Sequence, residues 1–177
     1  LDPGEEDARE HPLDVIADVV RRYDIDAVHL DDYFYPYKIT NRRGRSVAFP
    51  DERSWKRYKK AGGKLERDDW RRENVNTFIA KLYERIKAEK RWVKLGISPF
   101  GIWRPQKEPL ITGLDAYAEI YADSRKWLQN GWLDYCSPQL YWPTDTPKRP
   151  YTVLLDWWVN ANPLGRHLWP GTATAKI

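Results

Sequence analysis

The stretch Asp26-Ala-Val-His-Leu-Asp-Asp-Tyr33 decides the expected fold, because a short apolar run ends there in two adjacent carboxylates. A run of this length bounded by polar residues predicts a buried β-strand. Side chains alternate along a strand, so His29 and Asp31 share one face and Leu30 and Asp32 share the other. Asp31 is therefore expected at the end of a strand, with His29 one layer below it.

Helical and strand patterns alternate along the rest of the chain. Amphipathic spacing predicts helices around residues 12–23, 75–86, 117–128 and 154–161, and apolar runs predict strands at 93–98, 133–141 and from 167 onward. Asp68 or Asp69 is the expected N-cap of the second helix. Helix–strand units in series imply an α/β fold with parallel strands. Periodicity alone does not choose between part of a barrel and part of an open sheet.

Polar and aromatic residues gather after each predicted strand. The second strand leads into Ser98-Pro-Phe-Gly-Ile-Trp-Arg104, and the third leads into Ser137-Pro-Gln-Leu-Tyr-Trp142. The carboxyl ends of parallel strands meet at one edge of the sheet, which is where such folds build their sites. We therefore expect carboxylates, amides and rings to share one crevice.

Asp31 is the candidate for chemistry in that crevice. A carboxylate there can attack or stabilise an oxocarbenium-like centre, as in glycoside hydrolysis. Two other interpretations stay open from the residues alone: Asp31 and Asp32 could hold a divalent cation, or one of them could be a buried structural aspartate paired with an arginine such as Arg72. His29 in mid-strand is more typical of a hydrogen-bonded core histidine than of a catalyst.

Bulk composition narrows the classes of protein and of site that this chain could represent. The 177 residues are fewer than the roughly 250 of a complete eight-unit barrel, and the chain has no methionine and begins at Leu1, so we expect an excerpt of a longer protein. The single cysteine excludes an internal disulfide and a multi-cysteine zinc site. The three histidines have no metal-ligand spacing, and neither a metal nor a cofactor is expected. No apolar run approaches the roughly 20 residues of a transmembrane helix.

Positive charge concentrates in a long connection at residues 36–68, which periodicity leaves as a loop. Between Lys38 and Arg67 lie eleven Lys or Arg and three Asp or Glu, although the whole chain has a net charge of only +4. A long loop after the carboxyl end of a barrel strand is often functional. An anionic partner or a solvated insertion would each explain the charge. A nucleic-acid partner is disfavoured, since the strand-end carboxylates would repel phosphate.

These segments together resemble the bacterial glycosyl-hydrolase-like family 10. The resemblance is carried by Asp24-Ile-Asp-Ala-Val-His-Leu-Asp-Asp-Tyr-Phe-Tyr-Pro36, Trp70-Arg-Arg-Glu-Asn-Val-Asn76, Gly96-Ile-Ser-Pro-Phe-Gly-Ile-Trp-Arg104 and Asp134-Tyr-Cys-Ser-Pro-Gln-Leu-Tyr-Trp142. It implies a parallel (β/α)8 TIM barrel, of which this chain would supply about strands four to seven. Residues 1–177 would then be a partial catalytic domain.

The resemblance also implies a function and a location. It implies a glycosidase that cleaves O-glycosidic bonds in a bacterial envelope or other polysaccharide, with an anionic one such as peptidoglycan as a candidate, and a secreted or lipid-anchored protein. The alternative is a non-catalytic glycan-binding barrel. Asp31 and Asp32 would be the catalytic pair. The residues expected to line the sugar subsites are His29, Tyr33, Arg72, Ser98, Phe100, Arg104, Gln139, Tyr141 and Trp142.

The general acid is the weak point of this assignment. The Asp31 strand is also similar to the fourth strand of α-amylase-like barrels, where the final aspartate is the nucleophile, and this favours Asp31 over Asp32. Here His29 replaces the usual arginine, and no glutamate ends the following strand. Asp32, Glu73 and a carboxylate in absent strands all remain candidates for the acid.

Overall fold

The computed structural model describes residues 2–107, 110–144 and 146–174, and its centre is a four-stranded sheet. The strands are β1 (Ala27–Leu30), β4 (Lys94–Ile97), β5 (Tyr135–Cys136) and β6 (His167–Leu168), and they lie side by side in this order. Each neighbouring pair is parallel, so all four carboxyl ends lie at one edge. This confirms the expected mixed α/β class and parallel sheet. Leu1 and residues 175–177 of the expected domain lie outside the described residues.

Helical segments connect the strands. They are α1 (Glu6–Arg22), α2 (Glu52–Lys60), α3 (Arg67–Glu89), α4 (Ala116–Glu119), α5 (Ser124–Gln129) and α6 (Tyr151–Asn160). Among the described residues, none of these helices has the length and apolar character needed to cross a membrane.

The helices cover a single face of the sheet. Leu95 packs in a cluster with Leu13 of α1, while Ile97 packs in a cluster with Trp127 of α5 and Trp158 of α6. Leu95 and Ile97 are two residues apart on one strand, so they point to the same side. Helices on one side are the arrangement of a barrel wall, whereas doubly wound sheets carry helices on both sides. The sheet is compatible with part of a TIM barrel, and the closed barrel stays a prediction.

The opposite face of the sheet carries a row of polar and aromatic rings. Strand pairing aligns His29, Gly96, Tyr135 and His167 across the four strands. A Cβ atom at position 96 would lie 1.9 Å from the ring of Tyr135, so the glycine leaves the space that this ring occupies. The Tyr135 hydroxyl consequently reaches across β4 to within 3.0 Å of His29 Nδ1.

The connection at residues 36–68 contains regular structure, in contrast to the loop expected from sequence. It forms an antiparallel hairpin of β2 (Ile39–Thr40) and β3 (Ser46–Val47), followed by α2. The side chain of Asn41 organises the hairpin turn by accepting from the backbone N–H groups of Arg43 and Arg45. Strands of two residues are too short to give a period-2 pattern, which explains why periodicity missed them.

A buried carboxylate attaches this connection to the body of the protein. Asp51, just before α2, is fully buried and accepts two hydrogen bonds from Arg71 of α3, at 2.6 and 2.9 Å. Arg67 donates a further hydrogen bond to the same carboxylate. Burial alone would raise the pKa of Asp51, but the hydrogen bonds from Arg71 and Arg67 hold it below its usual value. Asp51 is thus a charged structural anchor.

Several helix boundaries differ from those expected. The first helix begins at Glu6, before the expected start at residue 12. The apolar spacing missed this part of the helix because residues 6–11 are mostly polar and add little to the apolar stripe. The N-cap of α3 is Glu66, so the expectation that Asp68 or Asp69 caps it was wrong; both lie in the first turn. There their negative charges favour the helix N-terminus.

The expected third helix is divided into α4 and α5. Tyr121, between them, has a φ of +57°, a conformation that ends a right-handed helix. Its hydroxyl accepts from Arg71 at 2.7 Å, and its ring packs against Tyr35. These tertiary contacts hold Tyr121 in place, and Asp123 then caps the new helix α5.

Candidate active site

Asp31 lies at the carboxyl end of β1 and is exposed on the open side of the sheet. One oxygen, Oδ1, accepts two hydrogen bonds of 3.0 Å, from the backbone N–H of Asp32 and from Nε2 of Gln139. The second oxygen is left available to a bound molecule. The strand period predicted this placement, with His29 one layer below on the same face.

Asp32 has the opposite environment. Asp32 is only 5% exposed, although it is the next residue along the chain. Burial, followed by the negative charge of Asp31, raises the pKa of Asp32. Its side-chain partner is the Tyr37 hydroxyl, which donates to Oδ2 over a long 3.4 Å. The two adjacent aspartates therefore differ in accessibility, and Asp32 holds its proton more tightly than an ordinary aspartate.

Tyr37 joins the site although sequence reasoning did not select it. Besides its contact with Asp32, its ring packs edge-on against Tyr33 and Phe100, with centroid separations of 5.8 and 6.1 Å. Burial and the charge of Asp32 raise the pKa of Tyr37 to about 12, so its hydroxyl keeps its proton at neutral pH. Tyr37 lies between β1 and β2, outside both strands, so no periodicity marks the direction of its side chain.

Side chains form a continuous polar chain across the four strand ends. Gln139 donates to Asp31 and, at 2.9 Å, to the carbonyl oxygen of Ser98. The Ser98 hydroxyl donates to the carbonyl oxygen of Ser137 at 3.0 Å. The Ser137 hydroxyl in turn donates to the carbonyl oxygen of Trp169 at 2.6 Å. Sequence reasoning did not select Ser137 or Trp169, although Ser137 has the same strand parity as Gln139. This chain fixes the relative positions of β1, β4, β5 and β6.

Aromatic side chains lie in two places at the carboxyl edge of the sheet. Tyr33 is 70% exposed beside the pair. Tyr141 and Trp142 follow β5 and line a cleft of about 350 Å³ together with Tyr151 of α6. Flat rings with a polar edge suit stacking on sugars. The structure thus places the expected ring-bearing residues at the carboxyl edge of the sheet, while their contacts with a substrate stay a prediction.

Two arginines and one glutamate lie elsewhere. Arg72 is paired with Asp69 and donates to the Tyr117 carbonyl oxygen at 3.0 Å, so the expected pairing with Asp31 or Asp32 was wrong. Arg104 pairs with Asp115 at 3.5 Å, and both guanidinium groups stack on the ring of Tyr117. Local pairing within the first turn of α3 occupies Arg72 and leaves it a structural role.

Glu73, a candidate for the general acid, is also outside the crevice. It is exposed on α3 and pairs with Lys126 of α5 at 3.1 Å. The described residues contain no group of three His, Cys, Asp or Glu side chains that could hold a metal ion.

Comparison with known proteins identifies the family that this chain resembles. A family model described as Glycosyl hydrolase-like 10 matches residues 1–177. Glycosyl hydrolase YngK of Bacillus subtilis (strain 168) is 44% identical over 184 residues, which cover 99% of this chain and 34% of that protein. Glycosyl hydrolase DigH of Escherichia coli (strain K12) is 37% identical over 182 residues, which cover 100% of this chain and 40% of that protein.

The chain spans between 34% and 40% of the length of these curated relatives. The match of the family model nevertheless extends over the whole chain and includes both aspartates at the end of β1. The resemblance first noticed in the strand-end motifs is thereby confirmed. The chain belongs to the family Glycosyl hydrolase-like 10.

Proposed function

We propose that this chain supplies the catalytic carboxylate of a TIM-barrel glycosidase, and that this carboxylate is Asp31. The observation that carries the proposal is one exposed carboxylate held by two hydrogen bonds at the carboxyl edge of a parallel sheet. An ionised carboxylate in that position can act as the nucleophile or stabilise the positive charge that develops at the anomeric carbon.

Asp32 would assist Asp31 from its buried position next to it in the chain. A side chain that is only 5% exposed cannot touch a glycosidic oxygen without moving, so we assign Asp32 to orientation of the site. Its raised pKa also limits the accumulation of negative charge beside Asp31. The general acid would come from another part of the barrel.

The test is reducing-end release from denuded peptidoglycan and from a panel of neutral polysaccharides. It uses the complete natural polypeptide that contains residues 1–177, beside its Asp31→Asn variant. We expect the substitution to lower kcat about 10³-fold, the middle of the roughly 10²–10⁴-fold range that a single positioned acid or base group contributes. Asp14→Asn, on the exposed surface of α1, is the matched control and should keep full activity.

Each other outcome has a defined meaning. Equal activity in both proteins would move the catalytic carboxylate away from Asp31. Binding of glycan without turnover, unchanged by Asp31→Asn, would favour the alternative of a glycan-binding barrel. That alternative is supported by the absence of a second exposed strand-end carboxylate on β1, β4, β5 and β6 as far as the structure describes them.

The substrate we propose is an anionic envelope polysaccharide such as peptidoglycan, which an extracytoplasmic protein would meet. The support comes from the β2–β3 hairpin, which starts two residues after Tyr37. Between Pro36 and Pro50 there are four cations and no acid. All four are exposed, and none has an acidic partner within 4.0 Å among the described residues: Lys38, Arg42, Arg43 and Arg45.

Neutralising the hairpin tests this substrate class. Replacing its four cations with glutamine should raise KM for denuded peptidoglycan about tenfold, within the range known for electrostatic steering, and should leave KM for a neutral polysaccharide unchanged. The control removes the same charge from the neighbouring helical region, at Arg53, Lys59, Lys60 and Lys64. Equal effects of the two sets would assign the change to net charge, and no effect of either would exclude an electrostatic role for the hairpin.

A further inference from the structure

The side-chain amide of Gln139 has a bonding pattern that differs from that of a sugar-binding residue. An amide NH₂ group has two hydrogens. One is directed to Asp31 Oδ1 at 3.0 Å and the other to the carbonyl oxygen of Ser98 at 2.9 Å. Both donors are therefore engaged within the protein, and a bound glycan would have to displace one of them to receive a hydrogen bond.

The backbone around Gln139 is fixed on both sides. Its N–H donates to the carbonyl oxygen of Pro99 at 3.0 Å, and Gln139 forms parallel bridges with Phe100 and with Gly171. A Cβ atom at Gly101 would lie 2.3 Å from the carbonyl oxygen of Gln139, so the two segments approach as closely as a glycine allows. The amide thus extends from a rigid base on the β5 side, past β4, to the end of β1.

The Gln139 amide restrains the Asp31 carboxylate, which would otherwise be mobile. Asp31 is exposed and has a short side chain that water alone would not hold in one rotamer. The backbone N–H of Asp32 and the amide of Gln139 both donate to the same oxygen, Oδ1. Two donors on one oxygen fix the carboxylate plane and direct the other oxygen toward the open side of the sheet. Such preorganisation contributes to rate, because a misplacement of about 1 Å can cost about 10²-fold.

We infer that Gln139 is a positioning residue that orients the Asp31 carboxylate through its Oδ1 atom, with Ser98 as its support. This differs from the substrate-binding role expected from sequence. The inference rests on the proposed catalytic role of Asp31. A positioning residue affects the reacting geometry and leaves substrate affinity nearly unchanged, whereas a sugar-binding residue affects affinity.

Gln139→Met tests the inference because methionine keeps the length of the side chain and removes both donors. In the complete natural polypeptide we expect kcat to fall about 10–100-fold, with KM within about twofold of wild type. Gln129→Met is the matched control, since it makes the same substitution at an exposed glutamine at the end of α5, outside the site. It should leave kcat and KM nearly unchanged. A KM increase with an unchanged kcat in Gln139→Met would overturn the inference.

A second measurement keeps the inference separable from the proposed function. The ¹³C resonance of the Asp31 carboxyl carbon, assigned by its loss in Asp31→Asn, should shift in Gln139→Met and stay in place in Gln129→Met. If no glycan is hydrolysed by any of these proteins, the proposed function fails and the resonance alone judges the contact. An unmoved resonance in Gln139→Met would show that the amide does not hold Asp31 and would overturn the inference.

Discussion

Asp51 and Asp32 are both almost completely removed from water, at 0% and 5% exposure, yet their surroundings are opposite. Asp51 lies where the connection of residues 36–68 meets α3, and two arginines donate to it. Asp32 is buried next to Asp31 in the candidate site, where the negative charge of Asp31 acts on it and its side-chain donor, among the residues that the structure describes, is the Tyr37 phenol at 3.4 Å. The same residue type has a lowered pKa at the first position and a raised pKa at the second.

The difference shows that burial alone does not define the role of a carboxylate. Burial penalises the charged form in both places. At Asp51 the arginines more than offset the penalty, and a bidentate pair of this kind fixes geometry. At Asp32 the long hydrogen bond from Tyr37 does not outweigh burial and the negative charge of Asp31, so the pKa of this carboxyl stays raised. A perturbed pKa beside an exposed carboxylate at a strand end is typical of functional sites.

The largest expected effect is that of Asp51→Asn. Removing this charge leaves Arg71 buried without its main partner, and breaking a buried ion pair in this way costs about 3–5 kcal/mol. The free energy of unfolding, measured by urea titration, should fall accordingly. Glu52→Gln is the matched control one residue away, because Glu52 is mostly exposed, and its substitution should cost far less. Similar losses in both variants would remove the distinction between a buried anchor and a surface pair.

The pH dependence of stability should also separate the two aspartates. A lowered pKa in the folded state stabilises the protein above the unfolded value of about 3.9, and this contribution is lost as the pH falls. The difference in free energy of unfolding between wild type and Asp51→Asn should therefore be largest near pH 7 and shrink toward pH 2. A raised pKa stabilises the folded state below about 3.9, and this contribution is lost as the pH rises through the raised value. Urea titrations from pH 2 to pH 7 would measure both trends, and parallel curves for all proteins would contradict them.

The smallest expected effect has the opposite sign. Asp32→Asn keeps the shape of the side chain and removes an uncompensated buried charge, so it should increase the free energy of unfolding at pH 7 by about 1 kcal/mol, within the range of ordinary stabilising substitutions. The gain should vanish below about pH 3.9, where the wild-type carboxyl is protonated in both states. A loss of stability at pH 7 would show that the charged form of Asp32 is supported by a contact other than Tyr37.

Alternation along the first strand was sufficient to place Asp31 at the carboxyl edge with His29 below it, because period-2 geometry is local. By contrast, the sequence did not predict that the helices cover only one face of the sheet, because this depends on how α1, α3, α5 and α6 pack together. The roles of Arg72 and Gln139 were not predictable for a related reason. Arg72 has an acidic neighbour three residues earlier in its own helix turn, and Gln139 reaches across β4 to a strand 108 residues away.

The connection at residues 36–68 also shows that long-range contacts are not visible in the local sequence. Its positive charge was visible in the composition, but the buried anchor at Asp51 was not, since Asp51 and Arg71 are separated by 20 residues and a helix. Tyr121 illustrates the point most clearly: the apolar spacing there continues a helix, while contacts with Arg71 and Tyr35 impose a positive φ. Local patterns predicted the elements, and long-range polar contacts decided their ends and the details of the site.

Cys136, the single thiol of the chain, gives the sheet a natural chemical probe of its integrity. It is fully buried on the helix side of β5, and burial raises the pKa of its thiol. Thiol reagents attack the exposed thiolate, so labelling requires β5 to separate from the helices that cover it. The labelling rate of the unmodified protein thus measures how often this layer opens, and the same reaction can compare wild type with each aspartate variant without introducing a foreign group.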